Sequence, residues 1–292
     1  MSVSTERFHG VAADEYVASL RRKACELRLD VVDMISNSDI RSGHFGGSMS
    51  AAEIVTVLYW HVMRVDPKNP GWADRDRLVL SKGHAVPVLY AALAHKGFFD
   101  RGILRSYRQK GSILQGHPDC LKTPGLDTSS GSLGQGLSLA LGMALGARHL
   151  GASYEVYALL SDGETQEGMV WEAAMAAAHH KVTNLTAVVD NNGLQVDGPV
   201  HEIMNIEPLE DKLRAFGWNC ITVNGHDIPS LLAAFEVRKA KRDRPFAIIA
   251  KTVKGKGVSF MENDIKWHCC GIDEKLCREA MAELEKIKAS SN

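Results

Sequence analysis

The sequence predicts an α/β fold, a three-layer doubly wound domain with a mostly parallel central sheet. The first observation is that apolar runs rich in β-branched residues alternate with helix-like stretches from about residue 154 onward. Such strand–helix–strand alternation is typical of parallel sheets with right-handed crossovers and helices on both faces. The second is that no repeat, low-complexity tract or linker divides residues 1–292. We therefore expect a single domain with a helical N-terminal region.

The N-terminal half is predicted to be helical. Apolar residues recur at helical spacing near residues 14–36, 50–63, 87–96 and 135–150. Breaks rich in Gly, Pro and Asp, such as "VDPKNPGWADRDR" and "QGHPDCLKTPGLD", separate these stretches.

The second half supplies the predicted strands. They are "YEVYALL", "LTAVVD", "NCITV" and "FAIIAK", with helices expected near 168–181, 208–216 and 228–241 and a final helix in "KLCREAMAELEKIKA". In a parallel sheet of this kind, ligands bind beyond the carboxyl ends of the strands. The residues that follow each strand are therefore the first candidates for a site.

Composition and charge exclude several classes of function. The chain is 45% hydrophobic and 24% charged with a net charge of −1, which argues against nucleic acid or an anionic membrane as the main partner. "MSVSTERFHGVAADEY" lacks a signal-peptide profile, and no apolar stretch is long enough to span a bilayer. The six cysteines show no C-x-x-C pair and are predicted to be reduced thiols of a cytoplasmic protein. Cys269 and Cys270 next to His268 lack further ligands for a metal site.

Acidic residues follow the first predicted strand of this half, in "SDGETQEG". Ser161 and Glu164 fit an S-x-x-E capping box at a helix start. A second strand ends in "DNNGLQVDG", and the segment between the two sites has room for one helix and one strand, a standard crossover. We therefore expect Asp162 and Asn192 at the same edge of the sheet, on neighbouring strands.

This pair of loops predicts a cation site for an anionic ligand. Asp162 offers a carboxylate, Asn192 an amide oxygen and Leu194 a main-chain carbonyl. These ligands would form half of an octahedral Mg²⁺ site, with phosphate oxygens of a bound ligand completing it. The helix start after Gly163 would add N–H donors for the same anion.

The two loops resemble the thiamine diphosphate motif, G-D-G followed by asparagines, with Ser161 in place of the first glycine. Around them the chain resembles the N-terminal part of a transketolase nearly end to end. The shared segments are "SGHFGGSMSAAEI", "RDRLVLSKGHAVPVLYA", "GHPD", "GSLGQGLSLALGMA" and "KTVKGKGVSFMENDIKWH". The resemblance implies the thiamine-diphosphate-binding PP-type fold, with thiamine diphosphate and Mg²⁺ (or Ca²⁺ or Mn²⁺) as cofactors. It also implies that Asp162, Asn192 and Leu194 hold the metal and that Gly163 contacts the diphosphate.

The resemblance also implies roles for histidines. His44 would be the substrate-channel histidine that steers proton transfer, and His117 would bond the terminal hydroxyl of the donor. His84 would lie near the diphosphate, and His268 would contact the diphosphate or substrate. Neutral imidazole suits these roles because one nitrogen accepts while the other donates. The other histidines are assigned no site role: His9, His61, His95, His149, His179, His180, His201 and His226.

Two glycine-rich segments need separate interpretation. "GSLGQG" lacks the G-x-G-x-x-G order of a dinucleotide loop; the resemblance implies instead that Gly131 touches the aminopyrimidine and Leu133 the thiazolium. "KGKG" is interpreted as a mobile surface turn. Glu167 corresponds to a family glutamate at the subunit interface, within a proton network.

The implied activity is transfer of a two-carbon ketol unit from a ketose (phosphate) to an aldose (phosphate). In the family, a glutamate that activates the cofactor and the arginines that hold a substrate phosphate lie in a following domain, and this sequence ends at Asn292. We therefore expect one subunit of a split transketolase, inactive without a separate C-terminal subunit that carries the pyrimidine-binding and C-terminal domains. Family geometry suggests a heterotetramer.

Three alternatives stay open. The first is a split subunit of another ketol-handling enzyme, acting on a branched or sulfonated sugar or resembling deoxyxylulose phosphate synthase. The second is a non-catalytic binding or assembly protein that keeps the fold. The third is an α/β domain that binds some other phosphate.

Overall fold

The strands of the structure follow the predicted apolar runs closely. In the computed structural model, which describes residues 11–290, the strands are β1 (Ser42–Gly43), β2 (Arg77–Leu80), β3 (Val156–Ser161), β4 (Leu185–Asn191), β5 (Asn219–Asn224), β6 (Phe246–Lys251) and β7 (Cys270–Gly271). Five of them form one sheet in the order β2-β3-β4-β6-β5, and every pairing is parallel. The predicted parallel sheet is confirmed. His9 and the rest of residues 1–10, together with 291–292, lie outside the described residues.

The helices also agree with the predicted stretches. They are α1 (Val11–Ser36), α2 (Gly46–Ser50), α3 (Ala52–Val57), α4 (Val86–Lys96), α5 (Gln135–Leu150), α6 (Gly168–His179), α7 (Val200–Ile203), α8 (Leu209–Ala215), α9 (Ile228–Ala240) and α10 (Glu274–Ser290). The stretch predicted as one helix over 50–63 is divided. It contains the end of α2, then α3, and then a π-helical turn at Leu58–Val62.

The sheet is covered on both faces, which gives the predicted three layers. Alternate strand residues point to opposite sides: Tyr157 and Leu159 pack with α1, α3, α4, α9 and α10, whereas Ala158 and Leu160 pack with α5, α6 and α8. Since both faces are buried, the strands are apolar almost throughout, as parallel strands are. All residues of β4 are buried.

One strand of the five-stranded sheet was not predicted. β2, at the edge of the sheet, has only the four residues "RLVL", which are too few to show a period, and it lies directly after a polar break. It pairs with β3 from Arg77 against Val156 to Leu80 against Leu159. Its position matters because the loop that carries His84 begins where this strand ends.

A second, two-stranded sheet joins distant parts of the chain. β1 pairs antiparallel with β7, with Ser42 opposite Gly271 and Gly43 opposite Cys270. This small sheet fixes the loops that carry His44 and His268 relative to each other. None of the helices within residues 11–290 is long and apolar enough to cross a membrane.

Candidate functional site

Asp162 and Asn192 lie at the same edge of the central sheet, as predicted. They follow the neighbouring strands β3 and β4, in which Ser161 and Asp190 are register partners. Asp162 continues the pairing, because its N–H donates to the carbonyl of Asp190 at 3.2 Å.

The Asp162 carboxylate is buried and faces main-chain donors. One oxygen accepts from the N–H of Gly163 at 2.8 Å, and the other from the N–H of Gly193 at 2.5 Å. The pKa of Asp162 is nevertheless raised to about 6, chiefly by burial and also by the nearby Asp190, while the two N–H groups oppose the shift. A desolvated carboxylate of this kind is stabilised by a cation beside it.

Asn192 and Leu194 flank Gly193, whose N–H donates to the Asp162 carboxylate. The Asn192 side chain accepts from the N–H of Leu194 at 3.1 Å, which makes a local Asx turn. The carbonyl of Leu194 accepts from the ammonium of Lys254 at 3.0 Å. These three oxygen donors fit a hard divalent cation by their chemistry. No group of three or more His, Cys, Asp or Glu side chains that could hold a metal ion is found within residues 11–290.

The four predicted histidines form a cluster above this edge. The ring centroid of His44 lies 5.2 Å from that of His84, 5.6 Å from His268 and 6.0 Å from His117. The rings of His84 and His268 stack at 5.1 Å. Four separate segments therefore supply one group of imidazoles, although their sequence positions are far apart.

The cluster is held in its neutral form. The pKa of His44 is lowered to about 4 and that of His268 to about 3, in both cases chiefly by burial and then by nearby cationic or imidazole groups, first Lys254 for His268. Burial, then Lys82, lowers the pKa of His84 well below its usual range. The pKa of the more exposed His117 is lowered by burial and by Arg108. In addition, the buried Nδ1 of His44 has no hydrogen-bond partner in the described structure. Such an atom is expected to bond a ligand.

All of the predicted site residues line one cavity of about 320 Å³. They are His44, His84, His117, Gly131, Leu133, Asp162, Gly163, Glu167, Asn192, Leu194 and His268. Glu167 and Leu133 are exposed and lie at the rim. None of the other histidines within residues 11–290 lines this cavity.

Volume alone would not select this cavity. A larger cleft of about 770 Å³ lies at the amino ends of the strands, around the start of β3. Its charged walls are largely paired internally: Glu155 accepts from both Arg238 and Arg242. The larger cleft also contains a buried carboxylate, Asp76, but it pairs with Arg64 at 2.9 Å. The smaller cavity is distinguished by the buried Asp162 carboxylate, which is bonded only to main-chain N–H groups among the described residues, and by the His44 nitrogen that has no partner among them.

The interpretation of "KGKG" as a mobile surface turn is wrong. Lys254 is only 2% exposed, and its ammonium donates to Nδ1 of His268 at 2.9 Å as well as to the Leu194 carbonyl. Gly255 is fixed by an N–H bond to the carbonyl of Gly46 at 3.1 Å. Burial lowers the pKa of Lys254 to about 8. Lys254 is thus a cation within the site that the sequence alone did not reveal.

A buried ion pair lies beneath the cavity and was also not predicted. Lys82 and Asp190 are fully buried and bonded to each other, and Lys82 also donates to the carbonyl of Gly47 at 2.9 Å. Ser50 donates to Asp190 at 2.5 Å. Removing one member of such a pair leaves an uncompensated charge, which costs about 3–5 kcal/mol. Lys82 lies in the segment "SKGH", but its partner Asp190 lies in β4, so the sequence around Lys82 does not indicate the pair.

Glu164 has a wider role than the predicted cap. The capping box is present, since the N–H of Ser161 donates to the Glu164 carboxylate at 3.1 Å and the hydroxyl of Ser161 accepts from the N–H of Glu164 at 3.4 Å. The same buried carboxylate also accepts from Ser81 and, at 2.9 Å, from the N–H of Gly134. It therefore connects the loops after β2 and β3 to the segment that carries Gly131 and Leu133.

Glycine permits the close approach of two of these loops. A Cβ at Gly83 would lie 2.8 Å from the main-chain carbon of Ser130 and 2.9 Å from the nitrogen of Gly131. Since real Cβ atoms do not come so close to main-chain atoms, any side chain at Gly83 would push the Gly131 segment away from His84.

Comparison with known proteins identifies the family. The family model described as "Transketolase, thiamine diphosphate binding domain" matches residues 20–285. The chain is 46% identical over 244 residues to the 6-deoxy-6-sulfo-D-fructose transketolase subunit SqwG of Clostridium sp. (strain MSTE9), covering 84% of this chain and 89% of that protein. It is 40% identical over 257 residues to one subunit of the apulose-4-phosphate transketolase of Phocaeicola vulgatus, covering 86% and 91%.

The fold agrees with solved transketolases. The transketolase from Campylobacter jejuni superposes with a TM-score of 0.85 at 32% identity, over 94% of this chain and 45% of that one. The chain thus spans less than half of the solved transketolase but about nine-tenths of the two subunits. Together with the family match over residues 20–285, these similarities show that the chain belongs to the transketolase family, in which it corresponds to the thiamine diphosphate binding domain.

Proposed function

We propose that this chain is one subunit of a two-subunit transketolase, which moves a two-carbon ketol unit from a ketose phosphate to an aldose phosphate with thiamine diphosphate and a divalent metal. The observation that carries the proposal is the buried Asp162 carboxylate, held at one edge of a cavity beneath neutral imidazoles. A carboxylate that receives main-chain N–H bonds and opens to a cavity with a cationic Lys254 suits a metal diphosphate. It suits a neutral ligand poorly.

The metal would be held by Asp162, Asn192 and the carbonyl of Leu194. One carboxylate and two neutral oxygens leave further positions for phosphate oxygens, which is the way Mg²⁺ is usually bound. Ca²⁺ or Mn²⁺ would fit the same ligands. The ammonium of Lys254 would supply positive charge for the diphosphate. The N–H groups of Gly163, Glu164 and Thr165 already donate to Asp162 and Ser161 within the loop, so the expected donation from this helix start to the diphosphate is not favoured.

The remainder of the cavity would hold the rest of the cofactor. The backbone of Gly131 would contact the aminopyrimidine and Leu133 the thiazolium, while His84 would lie beside the diphosphate. When bound, thiamine diphosphate supplies an electron sink for cleavage of the carbon–carbon bond of a ketose.

The histidines would bind sugar hydroxyls and move protons. Nδ1 of His268 accepts from Lys254, so its Nε2 carries the proton and can donate to the cofactor or to substrate. Nδ1 of His44, which has no partner among the described residues, is available for a hydroxyl group. His117 lies farther out and is exposed, which suits contact with the end of the donor sugar. Because their pKa values lie below neutrality, the imidazoles of His44 and His268 are neutral at pH 7 and do not repel a bound metal.

A partner subunit would complete the site. The two similar proteins named above are called subunits, and this chain covers about nine-tenths of each. The cavity rim also carries the exposed apolar side chain of Leu133, at 38%, and Glu167; the exposed Met169, at 40%, lies just outside it, near Gly134. We infer that a pyrimidine-binding domain of the partner docks on this rim and that two copies of each subunit form a heterotetramer. Glu167 would then lie within the interface.

The sugars are a separate question. One similar protein is named for 6-deoxy-6-sulfo-D-fructose and another for apulose-4-phosphate. A second candidate function is therefore ketol transfer from a sulfonated or branched sugar rather than from an ordinary ketose phosphate. Both share the same cofactor chemistry on this chain.

Reconstitution tests the proposal. The chain would be purified alone and with the product of a neighbouring gene that encodes the pyrimidine-binding and C-terminal domains. We expect ketol transfer only from the pair, and only with thiamine diphosphate and Mg²⁺. Full activity of the chain alone would contradict the split enzyme. Cofactor binding by the pair without turnover of ordinary, branched or sulfonated sugars would favour the non-catalytic alternative.

A further inference from the structure

His226 lies behind the cavity, in the turn after β5, and joins the buried core to the segment that carries Lys254. Its Nδ1 lies 2.9 Å from a carboxylate oxygen of Glu53 on α3. Its Nε2 accepts from the main-chain N–H of Val253 at 2.8 Å. Both atoms of the imidazole that can form hydrogen bonds are therefore used.

The contact with Glu53 is firmly fixed. The Glu53 carboxylate is only 8% exposed as a residue and receives both terminal nitrogens of Arg28, at 2.7 and 2.6 Å. Paired bonds of this kind define the orientation of the carboxylate plane. His226 is thus anchored to a rigid element, the packed helices α1 and α3.

The two bonds determine the tautomer of His226. Because a main-chain N–H can only donate, Nε2 must be unprotonated, and the proton must lie on Nδ1 and point to Glu53. Substitution of His226 by Asn or by Gln should each keep one of these two hydrogen bonds and remove the other. An Asn amide reaches only as far as Nδ1, and a Gln amide extends to about the position of Nε2.

Val253 precedes Lys254, whose neighbours have no regular secondary structure. The segment is held at three N–H groups: Thr252 donates to the Asn191 carbonyl at 3.1 Å, Val253 to His226, and Gly255 to the Gly46 carbonyl. Val253 and Gly255 flank Lys254, whose own carbonyl accepts from the N–H of Asn263 at 2.9 Å, and of the two flanking N–H groups only that of Val253 is held by a side chain. Loss of this bond would free the main chain where the ammonium must be aimed.

We propose that His226 is a positioning residue: it holds the main chain at Val253 so that the ammonium of Lys254 points into the diphosphate pocket. The inference rests on the proposed function, since it concerns the same pocket. It assigns a role to a histidine that makes no contact with the cavity.

Two variants of similar size test this positioning effect, in which His226 acts on Lys254 through Val253 and which we call the relay. His226→Gln keeps an acceptor for Val253 and loses Glu53, whereas His226→Asn keeps a donor for Glu53 and loses Val253. Calorimetry with Mg²⁺ and pyrophosphate on the full chain should show about five- to tenfold weaker binding for His226→Asn, the size expected for one lost hydrogen bond. His226→Gln should stay within about threefold of the parent chain. Equal weakening by both variants would overturn the proposal, because it would indicate general loss of stability.

A double-variant cycle separates the relay from direct contact. In a Lys254→Met background, His226→Asn should cause no further loss of pyrophosphate affinity, because its effect passes through Lys254. An additional loss equal to that in the parent chain would contradict the mechanism.

Failure of the parent chain to bind pyrophosphate would count against the proposed function, not against the role of His226. Two measurements without ligand test that role independently. Nitrogen NMR of His226 should show the proton on Nδ1, and the Nε2–H tautomer would refute the bond to Val253. Hydrogen exchange at the Val253 amide should accelerate about tenfold or more in His226→Asn and stay near the parent rate in His226→Gln. Unchanged protection in His226→Asn would refute the relay.

Discussion

The ammonium of Lys254 lies 2.9 Å from Nδ1 of His268, which gives the cavity a buried cation bonded directly to one of its imidazoles. The same ammonium reaches the Leu194 carbonyl, a candidate metal ligand. This arrangement joins the two loops that close the carboxyl edge of the sheet. It also makes Lys254 the natural contact for negative charge on a ligand.

Lys254→Met should weaken binding of Mg²⁺–pyrophosphate by about ten- to a hundredfold, since a charged hydrogen bond contributes roughly 1.5–3 kcal/mol. The matched control is Lys256→Met in the same "KGKG" segment, because Lys256 pairs with Glu262 at 3.1 Å outside the cavity. Calorimetry of both variants checks the prediction. Equal effects of the two substitutions would show that net charge alone is responsible.

Asp162→Asn should abolish metal-dependent diphosphate binding, because it removes the only carboxylate among the candidate metal ligands. The protein should still fold, since Asn has nearly the same shape. Asp197→Asn is the matched control: it removes an exposed carboxylate in the loop after β4 that does not line the cavity. Pyrophosphate titrations with and without Mg²⁺ provide the measurement. Unchanged affinity in Asp162→Asn would favour a different phosphate site.

The affinity for metal should fall in mild acid. Because burial raises the pKa of Asp162 to about 6, its carboxyl becomes protonated as the pH falls through 6, and the protonated form binds metal poorly. We expect the carbon NMR signal of this carboxyl to titrate near pH 6 in the metal-free chain. A midpoint at or below about 4, the ordinary value for aspartate, would contradict the prediction.

The histidine cluster should make the protein less stable in acid. His44 and His268 have folded-state pKa values of about 4 and about 3, below the unfolded value of about 6.5. The unfolded chain therefore binds more protons in this range, so the free energy of unfolding should fall as the pH drops from about 6.5 to about 4. The double variant His44→Asn, His268→Asn should show a shallower decline in urea titrations. An unchanged slope would mean that other groups cause the acid sensitivity.

Helix α5 offers a paired test of packing. A Cβ at Gly136 would lie 2.2 Å from the hydroxyl oxygen of Ser81 and 2.6 Å from its Cα, so Gly136→Ala should destabilise the protein by about 1–3 kcal/mol or more. A Cβ at Gly142 in the same helix meets nothing within 4 Å, so Gly142→Ala should raise stability by about 0.5–1 kcal/mol. Chemical denaturation of both variants gives the comparison. A stable Gly136→Ala protein would contradict the tight contact between α5 and the loop after β2.

Much of the fold could be predicted because its signals are local. The apolar runs of β3, β4, β5 and β6 and the helical period of α5 are visible in short windows, and the crossover length fixes which strand ends meet. The convergence of Asp162 and Asn192 follows from that topology. The four-residue strand β2 was missed because so short a run has no period.

The contacts that were not predicted depend on pairings across long stretches of sequence. Lys82 and Asp190 are 108 positions apart, and the sequence around either residue does not indicate which residue it pairs with. For Lys254, the pattern "KGKG" is equally typical of a flexible turn and of a fixed one. Only the bonds of the neighbouring main chain, through Gly255 to Gly46 and through Val253 to His226, distinguish these possibilities.

The small sheet of β1 and β7 has a consequence for synthesis of the protein. Its two strands are separated by most of the chain, and α10 packs on α1. During translation, His44 leaves the ribosome long before His268, so the imidazole cluster cannot assemble until β7 has emerged. Completion of the ligand pocket therefore comes late in the synthesis of the chain.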